Sequence, residues 1–399
     1  MKPLALSGRA VEFQSNPPLE NDAVIRVLAS HTNERPKPQD AFLVRSPADV
    51  RDAQSSEFTA LVAVGDVPVP DGQFETLVRL GPEFDYLGDG DVLGLDPHSR
   101  RVRVLYRRGS RHNFFLVTER CNHYCLMCSQ PPKDVDDSWL LRRIEKAVPL
   151  LAKETPFIGF TGGETLTDWR GLVRLLGLVR SELPDTAIHV LTNGRAFADP
   201  AVTHAWANLQ HPNLTAGIPI YAAVDYVHDH VVQAANAFDE TVLGILRLRD
   251  AGQRVEIRIV LHQLSIPYLV ETARWIARNL PFVDHVALMG LENTGFAIAN
   301  HDQLWIDPVD YRDALADAVE LLNAARLPVS IYNLPFCVLN QSVWRFARQS
   351  ISDWKNAYLP QCEMCAAKPQ CAGFFSSGRP RNSRAIAPIE EFEAPQSAQ

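Results

Sequence analysis

Cys121, Cys125 and Cys128 lie in TERCNHYCLMCSQPPK (118–133), a C-x3-C-x2-C spacing that brings three thiols into one short loop. Cysteine sulfur is the protein ligand of iron–sulfur clusters. A [4Fe–4S] cubane held by three cysteines keeps one iron without a protein ligand, as a catalytic metal keeps an open position. The competing reading is structural zinc, which takes four ligands. His123 could be the fourth, but it sits between two of the cysteines, an awkward place for a ligand. The spacing, directly after a strand-like run, favours the cluster.

A second group is FTGGET (160–165), at the end of another strand-like run. Gly162 and Gly163 would let a ligand approach the backbone, and Glu164 can accept hydrogen bonds from an amine. In isolation the segment reads as an ordinary strand-to-helix turn; after the cysteine loop it reads as part of a site. Other polar residues repeat the placement: Thr192 and Asn193 in LTNGR, Asp225 in AAVDY, Arg258 and His262 in IRIVLH, and Glu292 in MGLENTG. Each alone is more often a satisfied structural group. The HDH run at 228–230 reads as a surface loop, and no histidine or carboxylate stands out as a catalytic acid or base.

The third group is C-terminal: Cys337, then Cys362-x2-Cys365-x5-Cys371. Four cysteines can close a complete site. The readings are an auxiliary [4Fe–4S] cluster with every iron ligated, which is favoured, or a zinc ribbon.

These residues need elements that present them together. Strand-like runs recur at NFFLVT (113–118), FIGFT (157–161), AIHVLT (187–192), IPIYAAV (218–224), VEIRIVL (255–261) and HVALMG (285–290). Helical patterns separate most of them, at 139–153, 171–183, 240–252 and 269–280. The strands read as apolar throughout, as for parallel strands buried on both faces. The expectation is an α/β fold, a partial (β/α)6 TIM-like barrel, whose ligands bind at the C-terminal strand ends. Before it, residues 1–107 read as a β-rich domain without an assignable motif; the barrel core spans 108–305. Residues 306–376 form a cysteine-rich auxiliary region, and 377–399 read as a disordered tail.

Over about 113–300 these segments resemble the radical S-adenosylmethionine (radical SAM) superfamily. The resemblance implies a [4Fe–4S] cluster on Cys121, Cys125 and Cys128 whose open iron chelates the amino and carboxylate groups of S-adenosylmethionine. It implies that Gly162, Gly163 and Glu164 bind the methionyl amine and that Asp225 meets the ribose. Met127 stands where the family usually has an aromatic residue, with a contact made through backbone. Ala223 stands where a serine is common. Thr192, Asn193 and Arg258 complete the expected cofactor set. Reductive cleavage would yield methionine and a 5′-deoxyadenosyl radical that takes hydrogen from a substrate.

More narrowly, CNHYCLMCSQPPK, TGGET, LTNGR, VALMGLENTGFA with LWIDPVDY, and the C-terminal CxxC-x5-CAGFFSS resemble the C-type radical maturase family of the His-Xaa-Ser repeat peptide system. That resemblance, over about 107–376, implies a precursor peptide as substrate, a second radical maturase beside it, and an external electron donor.

A net charge of -8 and a pI near 5.9 argue against a broad nucleic-acid face. No run reaches the roughly 20 apolar residues of a membrane span. The opening MKPLALSGRAVEF has an apolar piece too short for a signal-peptide core, so a cytoplasmic protein is expected. Seven cysteines without a secretion signal make a poor disulfide framework. Two other functions stay open: a radical enzyme acting on a small molecule or nucleic-acid base, and a non-catalytic iron–sulfur or zinc scaffold for a partner.

Overall fold

The chain is described by a computed structural model over residues 6–30, 35–349, 357–374 and 381–393. The described residues form two sheets.

The first sheet is built from β1 (Ser7–Arg9), β2 (Glu12–Ser15), β3 (Val24–Leu28), β4 (Asp40–Val44), β5 (Ala60–Val64), β6 (Thr76–Leu80), β7 (Val92–Asp96) and β8 (Arg101–Tyr106), in the order β1-β8-β7-β3-β4-β5-β6-β2. One helix, α1 (Pro47–Ser55), connects β4 to β5. Its start carries a capping box: Ser46 Oγ accepts from Asp49 N–H, and the Asp49 carboxylate accepts from Ser46 N–H at 2.8 Å. Each face of the sheet has its own apolar cluster.

The second sheet holds β9 (Asn113–Thr118), β10 (Phe157–Gly162), β11 (Ala187–Leu191), β12 (Leu214–Pro219), β13 (Arg254–Leu261), β14 (His285–Gly290) and β15 (Val329–Tyr332). All seven are parallel and lie in chain order. Between them come α2 (Trp139–Ala147), α3 (Trp169–Glu182), α4 (Pro200–Ala207), α5 (Asp225–Val232), α6 (Ala237–Asp250), α7 (Leu269–Asn279), the single turns α8 (Phe296–Ala299) and α9 (His301–Leu304), and α10 (Pro308–Ala324). The expected α/β fold with a partial barrel stands, with a seventh strand, β15, that a count of six omits. Among the described residues no ladder joins β9 to β15, so the sheet is open along that side.

The strands are not uniformly apolar. Burial alternates along β11 and β13. Ile188, Val190, Ile257 and Ile259 are buried in the main core, whereas His189, Glu256, Arg258 and Val260 between them are half-buried and face the other way. The second face therefore borders an interior space rather than a dry core.

The two sheets are locked together. Val24, Val92 and Tyr106 of the first join the core of the second. Arg143 on α2 donates to the carbonyls of Asn21 at 2.5 Å and Leu95 at 3.1 Å. Lys146 pairs with Glu20 and Asp22, each at 2.6 Å.

Residues 381–393, read above as disordered tail, are packed. Arg384 binds the carboxylates of Asp307 (3.0 Å) and Asp310. Ile386 packs on the main core, and the Phe392 ring lies 5.1 Å from Phe336 and 5.6 Å from Trp344. A few anchors hold a polar segment that composition alone marks as unstructured. The remaining tail positions, 377–380 and 394–399, lie outside the described residues.

Candidate active site

β9 and β10 leave their shared register at their C-terminal ends, where Thr161 pairs with Leu116 but Gly162 with Thr118. The extra residue turns β9 outward into the cysteine loop. The loop's base is fixed by Asp137, a buried carboxylate that accepts from Thr118 Oγ1 (2.8 Å), Glu119 N–H (2.5 Å) and Arg120 Nε (3.2 Å).

The two glycines explain themselves here. Gly163 N–H donates to the Thr118 carbonyl at 2.9 Å and Glu164 N–H to the Arg120 carbonyl at 2.8 Å. A Cβ on Gly162 would lie 2.5 Å from the Thr118 oxygen, and one on Gly163 2.6 Å from the Arg120 carbonyl carbon. What approaches this backbone is the cysteine loop itself. On its far side the loop is held by Tyr124 N–H and Leu126 N–H, which donate to carbonyls of Val232 and Val231 at the end of α5. Asn300 Nδ2 donates to the Leu126 carbonyl at 2.9 Å, and Phe296 N–H to that of Cys128 at 2.8 Å. Gly295, at φ +55, lets that last segment close on the loop.

All three thiols line one cavity of about 570 Å³. So do Met127, Gly162, Gly163, Glu164, Thr192, Asn193, Arg258 and Glu292. Burial pushes the Cys121 thiol up to about 11 and raises Cys128 too. Cys125 is raised by burial and then by the neighbouring Cys128 and Cys121 sulfurs. The three thiols are free and half-buried, and a metal bound among them would deprotonate them outright. Among the described residues no set of three or more His, Cys, Asp or Glu side chains is drawn together to hold a single metal ion. His123 is not placed as a fourth ligand. Arginine can only donate, so the 3.2 Å contact with Arg195 occupies the His123 Nε2 lone pair. Burial, then the Arg195 charge, lowers His123 to about 4, keeping it neutral.

Glu164 is fully buried and ties β10 to β11. Its carboxylate accepts from Leu166 N–H (2.9 Å), Thr192 Oγ1 (2.6 Å) and Asn193 N–H (2.6 Å). Burial raises its proton affinity, against the three donors that favour the ionised form. Asn193 Nδ2 in turn donates to Asn122 Oδ1 at 2.7 Å, inside the cysteine loop. Thr192 and Asn193 thus brace Glu164 and the loop.

Two of the expected strand-end polar residues are elsewhere. Asp225 lies outside the cavity: β12 ends at Pro219, and Asp225 is exposed in the first turn of α5, its carboxylate accepting from Tyr226 N–H. The strand-four space is lined instead by Gly217, Pro219 and Tyr221, every second residue. A period of two counted on from Gly217 is the signal that would have found Tyr221. His262 is fully buried beyond the cavity wall, its Nδ1 accepting from Leu264 N–H at 3.3 Å. His228 of the HDH run is also fully buried, on the inner face of α5 beside Val227 and Val231, not in a surface loop.

Below the cavity, Arg258 Nη1 donates to Glu256 Oε1 at 2.6 Å and Nη2 lies 3.0 Å from Met289 Sδ. Glu256 also meets His285 Nδ1 at 2.8 Å and His189 Nε2 at 3.3 Å. Burial opposes its ionisation, but the two histidines and Arg258 outweigh burial and hold Glu256 far below the usual carboxylate range. A depressed carboxyl stabilises the fold above its unfolded pKa of about 4.3, and that contribution is lost as pH falls. The apparent melting temperature of the wild type should therefore drop more steeply than that of Glu256→Gln between about pH 5 and pH 3. Parallel slopes would show the cluster of charges to be energetically idle.

The four C-terminal cysteines surround a second, small cavity of about 20 Å³. Ile389 N–H lies 3.3 Å from Cys365 Sγ and Gly373 N–H 3.4 Å from Cys371 Sγ. Burial pushes Cys337 up to about 11 and raises Cys371, with the neighbouring sulfurs adding to both.

Residues 115–276 match the family model described as the radical SAM superfamily. They form a radical SAM domain. Domains of this family use a [4Fe–4S] cluster and S-adenosylmethionine, and the three-thiol cavity with its open interior has the donor set for both. Among curated relatives, the chain is 25% identical over 206 residues to the FeMo cofactor biosynthesis protein FixZ of Rhizobium leguminosarum, covering 44% of each chain. It is 24% identical over 203 residues to NifB of Sinorhizobium fredii, covering 44% of this chain and 41% of that one. The chain thus spans less than half the length of the curated relatives it matches. Among solved structures, SuiB of Streptococcus suis bound to S-adenosylmethionine superposes with a TM-score of 0.45 at 14% identity, over 56% of this chain and 50% of that chain. No helix among the described residues is long and apolar enough to cross a membrane.

Proposed function

We propose that this chain is a radical SAM enzyme that modifies a ribosomally made peptide of the His-Xaa-Ser type, with a cluster held by Cys121, Cys125 and Cys128. The observation that carries the radical part is the convergence of the three thiols, Gly162–Glu164, the Thr192–Asn193 brace and Arg258 on one cavity. When bound, the cluster and S-adenosylmethionine supply a 5′-deoxyadenosyl radical, using an electron from an external donor of low potential.

The protein's own part is to hold and exclude. Gly162 and Gly163 let the loop sit against β10, and Asp137 closes its base. Glu164, braced by Thr192 and Asn193, lines the cavity and would meet the methionyl amine. Arg258, steadied by Glu256, offers positive charge at the cavity floor. Asp225 has no part in this proposal; Tyr221 takes its place on the cavity wall.

Cys337, Cys362, Cys365 and Cys371 would hold an auxiliary [4Fe–4S] cluster. Four sulfurs around one cavity, two of them accepting backbone N–H groups, support this. Hydrogen bonds to sulfur are a known lever on cluster potential. The peptide substrate rests on the motif resemblance, whose segments include Cys362, Cys365 and Cys371.

A second reading, a radical enzyme of cofactor assembly, is favoured by the similarity to FixZ and NifB. Anaerobic incubation of the reconstituted, reduced protein with S-adenosylmethionine and a His-Xaa-Ser repeat peptide separates the two. The peptide reading expects a change in peptide mass by mass spectrometry. An unaltered peptide alongside steady formation of 5′-deoxyadenosine would shift the assignment to the second reading.

A further inference from the structure

The first sheet has no assigned role, yet it reaches the radical cavity. Leu6, Val104, Leu105 and Arg107 line the same 570 Å³ space as the three thiols. They stand on the open side of the second sheet: one lip is formed by Asn113 and Phe114 at the start of β9, and Asn333, just past the end of β15, lines the opposite lip at the other end of the strands.

A strand presents alternate residues to one face, so Val104 and Leu105 should not share a cavity. The ladder between β7 and β8 explains why they do. Val92 pairs with Tyr106 but Leu93 with Val104, leaving Leu105 as the extra residue of a bulge. A bulge of this kind re-aims a side chain, and such bulges are enriched beside active sites. Gly94 helps: a Cβ there would lie 3.2 Å from Leu105 Cδ1.

The sheet is also fixed in place. The Tyr106 hydroxyl meets Thr155 Oγ1 at 2.8 Å, Arg108 pairs with Glu154 at 2.6 Å, and Asn113 Nδ2 donates to the Arg107 carbonyl at 3.1 Å. These bonds tie the end of β8 and the chain after it to the second sheet.

We propose that the first sheet is the substrate-facing wall of the radical cavity and sets specificity through Leu6, Val104 and Leu105. This rests on the peptide reading above. The peptide enters between β9 and β15 in extended form, with an apolar side chain next to the reacting residue seated on the wall.

The test is photo-crosslinking of the reconstituted full chain, with p-benzoylphenylalanine at position 105 or, separately, at position 333 on the opposite lip. The probe is a synthetic His-Xaa-Ser repeat peptide. Crosslinks from position 105, with or without position 333, are expected. Crosslinks from position 333 alone overturn the wall and leave the peptide reading intact. Crosslinks from neither overturn the peptide reading, and the inference falls with it. Independently, Leu105→Ala, at unchanged iron content, should raise the peptide KM about tenfold, equivalent to ~1.4 kcal/mol of lost contact. An unaltered KM contradicts the role given to Leu105.

Discussion

Cys125→Ala will leave a folded protein that no longer cleaves S-adenosylmethionine. Cys125 is one of the three thiols that line the cavity, between Cys121 and Cys128 in the loop. Loss of an outer-shell partner at a metal site costs 10–100-fold. Loss of a ligand should therefore exceed ~100-fold in 5′-deoxyadenosine formation. The fold should survive, because the loop is held by backbone bonds to Val231, Val232 and Arg120 and by Asp137, none of which involves Cys125 Sγ. Far-ultraviolet circular dichroism should match the wild type, and iron should fall by the content of one cluster. Retained activity with less iron would mean that the C-terminal cysteines do the chemistry.

Gly163→Ala should come close to that loss without touching a ligand. A methyl group there would meet the Arg120 carbonyl and come within 3.0 Å of Cys121 Cβ. Both neighbours are parts of the loop that cannot rotate away, so the loop itself must shift. Overpacking of this kind costs about 1–3 kcal/mol and moves backbone. The displaced atoms carry Cys121, so cluster occupancy should drop, read as iron and acid-labile sulfide per chain. Gly162→Ala should act in the same direction through the Thr118 carbonyl. Had the glycines served only to admit a ligand, Gly163→Ala would weaken S-adenosylmethionine binding and leave cluster content unchanged. The two outcomes are separable in a single preparation.

The cysteine loop, the glycine pair, Thr192 and Asn193 were legible in the sequence because they are local motifs at strand ends. NFFLVT and HVALMG correspond to β9 and β14 residue for residue. IPIYAAV does not correspond to β12, which runs from Leu214 to Pro219. An apolar run has no internal mark for where pairing stops, so the run placed Asp225 at the strand end, six residues beyond where β12 stops. The HDH run was misread because its helix, α5, is short and its inner face mixes His228 with valines. The role of the glycines was invisible because it depends on what lies across from them. The same holds for Arg384 and Phe392, whose partners are distant in the chain. Leu105 shows the limit most clearly: a strand pattern predicts alternation, and only the pairing register reveals the bulge.

The central claim is that a cluster on Cys121, Cys125 and Cys128 binds S-adenosylmethionine in the cavity beside Glu164. Its most direct test is electron paramagnetic resonance of the anaerobically reconstituted, dithionite-reduced protein, recorded with and without S-adenosylmethionine. A reduced [4Fe–4S] signal that shifts on addition of S-adenosylmethionine, and a shift that disappears in Cys125→Ala, is the predicted result. A fully loaded protein whose spectrum ignores S-adenosylmethionine would contradict it.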